Sequence, residues 1–353
     1  MTATMHELPV YGEYDAIVSG GGLTGTVCAV ELARSGMKVA LVERRSALGW
    51  EIGRARRVFA DLSARTSPYV SDLWEKCRSQ SGSGTLRAPY AELALDQWVA
   101  DAGVDVLFHG WATACHRMDG RTAGLIAGTK EGYVRLQAPL VIETDDHGRL
   151  IPAQYERSVE PPCRSRSFLL GGAEPASEAS DESAIADGGA SLRVRPLPYG
   201  QAQVDVTLSS STAAERETEF YNGIRKWLPL VRSAVPYLSK AKLLLISEEE
   251  WCPAAYRLTE PTLYEAAEGQ GDIGDIGSLW TKRNGVWSEP GLTRKNIAAE
   301  PAGGVLYAGA WLPAYREHTG EDEELAVINR IQLGEAAASF ILSRAKARPS
   351  AVQ

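Results

Sequence analysis

The chain has 353 residues, of which 44% are hydrophobic, and a formal net charge of −8. That length exceeds the size at which one hydrophobic core stops growing, so two packed domains are expected. The acidic balance argues against nucleic acid or an anionic membrane surface as a partner, since both demand a basic face.

No run approaches the roughly twenty apolar residues needed to span a bilayer. The opening MTATMHELPVYGEY lacks the basic and apolar regions of a secretory signal. The five cysteines, Cys28, Cys77, Cys115, Cys163 and Cys252, are odd in number, widely spaced and free of any C-x-x-C pair. Reduced thiols in a cytoplasm are expected, with neither a disulfide framework nor a metal site. Cys28 falls inside a helix and reads as a small buried hydrophobe.

The first elements carry the strongest signal. Asp15 to Glu43 read DAIVSGGGLTGTVCAVELARSGMKVALVE: an apolar strand, a glycine-rich turn, an amphipathic helix, and a second apolar strand ending on an acid. This is the pattern of a dinucleotide-binding βαβ unit. Gly20, Gly22 and Gly25 stand at the G-x-G-x-x-G spacing, for a tight turn, backbone approach to a pyrophosphate, and close helix–strand packing. The pyrophosphate is expected at the helix N-terminus near Leu23 and Thr24, where unpaired N–H groups and the helix dipole favour negative charge. Glu43 lies at the distance where a carboxylate accepts from an adenosine ribose.

After Glu43 the chain turns basic, with Arg44, Arg45, Arg54, Arg56 and Arg57 able to neutralise a pyrophosphate, stack on adenine, or form a solvated loop. A helix through Leu73 and Trp74 follows, then a Ser/Gly-rich connection from Ser79 to Gly84. From Tyr90 a helical pattern leads into a strand, a meander turning at Asp119–Gly120 and Glu131–Gly132, and a buried strand from Ala138 to Ile142. Pro161 to Ala190 is rich in Ser, Glu, Asp, Gly and Ala, and Gly171 to Ala190 reads as a long surface loop. SLRVRPLPYG and QAQVDVTLSS form a hairpin of a second, antiparallel sheet. A helix starts from Thr212 and is expected to break near Pro229 and Pro236. Near the end, the strand Val305 to Ala308 meets Gly309, and a helix with small residues on one face begins near Glu324.

Three segments together resemble the bacterial FAD-dependent oxidoreductases of the glutathione-reductase-like two-domain fold. They are SGGGLTGTVCAVELARSGMKVALVERRSALG, the stretch from Glu92 to Leu150, and GVLYAGAWLPA with the later Gly334–Glu335–Ala336–Ala337 helix. The resemblance implies an α/β fold: a Rossmann-like FAD-binding domain with a parallel sheet and inserted β-meander, from residues 1–155 and 255–353, plus a smaller α+β substrate domain with an antiparallel sheet over 156–254. It places the FAD pyrophosphate at Gly20, Gly22 and Gly25 and the ribose at Glu43. Arg44 or Arg45 would lie near the adenine, and the strand at Ala112 would hold the adenine edge. Gly309 and Ala310 would approach the ribityl-pyrophosphate, with the Asp322–Leu325 helix start facing the pyrimidine end of the flavin. Where the family has Ala-Thr-Gly-Asp, this chain has Glu143, Thr144, Asp145 and Asp146. Loss of that glycine predicts a turn farther from FAD, or reshaped.

A flavin supplies redox chemistry, and the protein must orient a substrate C–H or N–H over N5. His318 leads as the group that removes a proton as hydride leaves, with an exposed loop histidine as the equal alternative. Tyr315 and Arg316 follow as orienter and anion clamp. His109 and His116 read as structural. No second G-x-G-x-x-G is expected in the chain, nothing else resembles a nicotinamide site, and the missing C-x-x-C excludes a disulfide reductase. Dehydrogenation of a small organic molecule is therefore favoured, and the resemblance implies a bacterial biosynthetic tailoring enzyme. The alternatives are an NAD(P)H-using monooxygenase, a flavoprotein whose FAD is structural and assists a non-redox step or a partner enzyme, and a scaffold without FAD.

Overall fold

The computed structural model describes residues 7–60, 62, 67–79, 84–152, 157–158, 164–173, 182–210, 212–251, 257–258, 275–279, 281–283, 286–288, 291–293, 298–299, 304–312, 315, 319 and 323–347. A six-stranded sheet runs in the order Ala298–Ala299, β14 (Val305–Tyr307), β8 (Val141–Glu143), β2 (Ala16–Ser19), β3 (Val39–Glu43) and β4 (Asp105–Phe108). All pairs are parallel except the Ala298–Ala299 edge. Every residue of β2, β3 and β8 is buried, which is why these strands read as apolar runs and not as alternating ones.

The helix α1 (Leu23–Arg34) crosses from β2 to β3, and α6 (Glu323–Ala347) lies along it. A Cβ on Gly334 would press on the Thr24 carbonyl, so the small face of α6 serves close helix–helix approach. Leu325–Ser343 within α6 is, by length and composition, long and apolar enough to cross a membrane, which corrects the expectation that no such run exists. Its side chains are mostly buried in the fold, as in the core helix of a globular protein.

The meander β5 (Trp111–Met118), β6 (Arg121–Thr129) and β7 (Gly132–Gln137) is joined by β1 (Val10–Glu13), parallel to β7. Its first turn is at Asp119–Gly120, both in the left-handed region. Ala112, Leu125, Ala127 and Leu136 pack on Ile17, Ala40, Val42 and Val141 of the central sheet. Three short helices, α2 (Trp50–Gly53), α3 (Pro68–Cys77) and α4 (Ala88–Ala102), occupy the connection from β3 to β4.

A second sheet is antiparallel, ordered β10 (Ser183–Asp187), β11 (Ala190–Leu197), β12 (Gln201–Leu208), β9 (Ser165–Gly171), β13 (Lys242–Ile246). The β11–β12 hairpin is the expected one, turning through 198–200. The helix α5 (Ala213–Ala234) covers this sheet, laying Phe220, Ile224, Trp227 and Val231 on Phe168, Leu192, Val194, Val204 and Val206. Thr212 caps α5 reciprocally with Glu215.

Three expectations need correction. Gly171 to Ala190 is not one loop: it contains β10, because Ile185 finds an apolar partner only across the sheet, and the FLL run just before it forms β9 for the same reason. Pro229 does not end α5, since Trp227 and Val231 on either side are buried in the same core. The spelling G-x-G-x-x-G also recurs at Gly269, Gly271 and Gly274. Those glycines lie outside the described residues, and the element that follows them is a strand, Asp275–Ser278, where a dinucleotide-binding unit has a helix.

Candidate functional site

The glycine turn has the geometry its spacing requires. Gly20 has φ +104, and a Cβ there would stand 2.7 Å from the Asp145 nitrogen. A Cβ on Gly25 would collide with the Gly20 carbonyl oxygen, so α1 starts hard against the end of β2. Gly22 caps α1 with no side-chain cap of its own. The β8 turn packs directly onto this loop: Thr144 Oγ1 donates to the Ser19 carbonyl at 2.8 Å and the Gly20 carbonyl at 3.0 Å. The Glu143–Asp146 turn is therefore reshaped to abut the glycine loop, and it does not sit away from it.

Carboxylates of the chain itself face the N–H groups of this loop. Gly21 N–H donates to Glu43 Oε2 at 2.6 Å, and Arg45 N–H donates to Glu43 Oε1 at 2.7 Å. Leu23 N–H, at the start of α1, donates to Glu51 Oε1 at 3.0 Å and to Oε2 at 3.3 Å. Glu51 is fully buried and is held by Arg330 of α6, whose Nη1 lies 3.1 Å from Glu51 Oε1 and 2.7 Å from Asp146 Oδ1. Trp50, Trp251 and Tyr315 surround that guanidinium with ring centroids at 5.8, 5.3 and 5.8 Å. Burial pushes the Glu51 carboxyl up, against the pull of Arg330 and the Leu23 N–H; burial would lower Arg330, but Asp146 and the rest of its surroundings hold it well above its ordinary value.

Next to this cluster is a cavity of about 440 Å³ between the ends of β3 and β8 and the antiparallel layer. Arg44, Arg45, Arg164, Arg166 and Arg216 line it, and so do Asp146, Glu217, Glu248, Glu249 and Glu250, with Trp50, Phe220, Val206 and Leu208 as apolar wall. The charges are laced: Arg45 reaches Glu249 at 2.6 and 2.8 Å, Arg44 reaches it at 3.1 Å, and Arg216 reaches Glu250 at 2.6 and 3.1 Å. A neighbouring buried group, Asp205, accepts from Arg57 at 3.4 Å and pairs with Arg195; burial would raise its pKa, but these guanidiniums hold it below the usual carboxylate range.

Of the residues expected at the site, Gly20, Gly22, Leu23, Thr24, Gly25, Glu43, Arg44 and Arg45 converge at the end of β2 and β3. Ala112 is buried on the meander against Val42, and Gly110 N–H donates to the Glu43 carbonyl at 3.0 Å, which brings that strand beside the end of β3. Gly309 gives room to the Trp311 indole, which is fully buried and donates to the Asp145 carbonyl at 3.1 Å. Ala310 is buried in the same core, and Leu325 is buried as well. Tyr315 is buried too, and its hydroxyl donates to the Ala326 carbonyl at 3.2 Å. His318, Arg316 and Asp322 lie outside the described residues. Sequence reasoning missed Glu51, Arg330 and the acidic run Glu248–Glu250. Their partners lie some two hundred residues or more away in sequence for most of these contacts, so no local pattern marks them.

These residues fit an FAD diphosphate in shape and chemistry. The glycine cradle has no space for side chains, and the buried Thr24 Oγ1 on the first turn of α1 has no hydrogen-bond partner among the described residues. Arg330, Arg44 and Arg45 supply positive charge around it. Glu43 stands where a ribose is expected, and the Glu51 carboxylate accepts from the Leu23 N–H at the start of α1.

Residues 15–155 match the family model "FAD dependent oxidoreductase". The chain is 27% identical over 179 residues to thiamine thiazole synthase of Methanothermobacter thermautotrophicus, a match spanning 44% of this chain and 65% of that protein. It thus covers just under two thirds of that curated relative. Among solved structures it is similar to a geranylgeranyl bacteriochlorophyll reductase-like protein from Thermoplasma acidophilum, with TM-score 0.57 and 13% identity over 94% of this chain and 80% of the other. It is also similar to p-nitrophenol 4-monooxygenase from Pseudomonas putida, with TM-score 0.55 and 14% identity over 94% and 81% of the two chains. At such identities these two likenesses establish the fold. Residues 15–155 are thus similar to the FAD-dependent oxidoreductases, and FAD is the cofactor that this match supports.

Proposed function

We propose that the protein dehydrogenates a small organic metabolite as an FAD-dependent oxidoreductase. The observation that carries this reading is the shared wall between cradle and cavity. Trp50 and Asp146 line the cavity and also adjoin the Glu51–Arg330 cluster at the start of α1. Gly20, Gly22, Leu23, Thr24 and Gly25 would hold the FAD diphosphate, Glu43 a ribose, and Arg44 or Arg45 the adenine side. Bound FAD would supply two-electron redox chemistry.

The chain's own residues select and orient the substrate. On the side of the cavity away from Arg44 and Arg45, Arg164 and Arg216 face Glu250 and Arg166 faces Glu217, so donors and acceptors are both at hand, while Phe220, Val206 and Leu208 add apolar wall. Such a lining favours a compact molecule with polar substituents on an apolar frame. Arg164, Arg166 and Arg216 orient its carbonyl or carboxylate oxygens. His318 is our proposed proton acceptor, through an imidazole nitrogen, from the substrate O–H or N–H, with Arg316 as anion clamp, while Tyr315, its hydroxyl held by the Ala326 carbonyl, backs the Arg330 guanidinium instead of orienting the substrate. The Asp322–Leu325 helix start is assigned to the pyrimidine end of the flavin.

A second reading, monooxygenation with NAD(P)H, draws support from the fold shared with p-nitrophenol 4-monooxygenase. The experiment is to purify the protein, identify the released chromophore by mass, and mix the holoprotein anaerobically with candidate substrates. Bleaching of the 450 nm band (roughly the flavin maximum) by substrate alone supports dehydrogenation. Bleaching only by NAD(P)H, faster with substrate present, replaces it with the monooxygenase, and a colourless protein that FAD cannot restore sinks both.

A further inference from the structure

The start of α1 is already occupied by an anion, and that anion is a side chain. Resting on the FAD reading above, we propose that Glu51 is an internal placeholder for the cofactor diphosphate. On loading, Glu51 leaves the Leu23 N–H and Arg330, and Arg330 becomes a diphosphate ligand together with Thr24.

Four observations converge. Glu51 takes with both oxygens the first N–H of α1, the one the glycine spacing assigns to a phosphate. A Cβ on Gly22 would stand 2.7 Å from Glu51 Oε1, so the carboxylate lies in the space that glycine keeps open. Thr24 Oγ1, one residue on and buried, has no partner among the described residues, so the first turn of α1 carries a polar group that Glu51 does not satisfy. The fourth observation is one of rigidity. Arg330 is gripped by three aromatic rings and by Asp146, whereas Glu51 rides on the single turn of α2, which is bounded by the left-handed Gly49 and by Gly53. The cation is thus fixed and its carboxylate partner is carried on a short, glycine-flanked element.

The placeholder solves a physical problem. Arg330 is almost fully buried, and an unpaired guanidinium there would be strongly destabilising. Glu51 and Asp146 neutralise it. Arrival of a diphosphate allows the exchange of one anion for another on a preformed site, with Asp146 retained on Arg330. Affinity for FAD is correspondingly reduced by the competition, because only the fraction of molecules with Glu51 withdrawn accepts the ligand.

The test uses the full chain stripped of flavin, with wild type, Glu51→Gln, Glu51→Ala and Arg330→Lys compared for FAD dissociation constant and association rate by quenching of flavin fluorescence. ADP serves as a second probe, carrying the diphosphate without the flavin. Both Glu51 variants are expected to bind FAD and ADP about tenfold or more tightly than wild type, with faster association. Arg330→Lys is expected to bind both about tenfold more weakly, since an ammonium cannot replace the forked guanidinium. Thermal melting without ligand checks folding, and Glu51→Gln, nearly isosteric, guards against collapse of the alanine variant. Wild type binding FAD while both folded Glu51 variants bind it no tighter would overturn the placeholder and leave the FAD reading standing. Failure of all four proteins to bind FAD overturns both.

Discussion

The cluster at the start of α1 and the arginine-lined cavity use the same chemistry, guanidinium against carboxylate, in two different media. In the cluster, Arg330 and Glu51 expose 2% and 1% of their side chains; in the cavity, Arg44 and Glu249 expose 22% and 25%. A dry ion pair gives little net stability but is severe to break, because the remaining partner is stranded. A wetted pair is worth about 0–1 kcal/mol and rearranges easily. The first arrangement suits a site that holds one defined anion, and the second a surface that adapts to a ligand.

The sharpest way to break this comparison is Arg330→Met. It strands the carboxylates of Glu51 and Asp146 and is expected to cost about 3–5 kcal/mol in denaturant unfolding. A loss under 1 kcal/mol would mean the cluster is wet and the contrast false. Gly25→Ala comes next. Its methyl collides with the Gly20 carbonyl, so unfolding free energy should fall by about 1–3 kcal/mol and flavin should no longer co-purify. Retention of flavin at wild-type stoichiometry would show that the cradle does not hold the diphosphate.

Glu143 sharpens the comparison from another side, as a buried carboxyl that faces Asp145 where the others face a guanidinium. Burial, then the Asp145 charge, pushes its pKa well above the ordinary range, with Ser19 and the backbone N–H groups of Arg149 and Asp145 pulling the other way. A carboxyl whose folded pKa is raised binds its proton more tightly in the fold. Its contribution is therefore most favourable below the unfolded pKa and is lost as pH rises toward the folded one. Glu143→Gln, fixed in the neutral form, should melt about 2–4 °C higher than wild type at pH 8 and the same at pH 4. An equal shift at both pH values would show that the carboxyl does not titrate between them. The smallest effect belongs to Arg193→Ala, which removes the exposed pair with Glu182; about 0.5 kcal/mol or less is expected.

Local order in the sequence was enough for the βαβ unit. Its glycines, apolar strands and terminal acid lie within about thirty residues, and each needs only its neighbours to be read. The meander turns, the capped start of α5 and the β11–β12 hairpin were legible for the same reason: turn and cap chemistry is short-range. The strands β9 and β10 escaped because their evidence is across the sheet, in Val204, Val206 and Leu192, and not along the chain. Pro229 misled because a local rule was overridden by burial on both sides of it.

The site divides along the same line. Sequence by itself determined that a glycine turn at the G-x-G-x-x-G spacing opens a helix, where it lies, and that an acid ends the strand after it. Only the tertiary structure decided what faces that turn: Glu51 from the next connection, Asp146 from the β8 turn, and Arg330 from the last helix, gathered from positions up to 279 residues apart. Charge neutralisation in a dry space acts through distance in three dimensions, so its partners leave no periodicity or spacing in the chain.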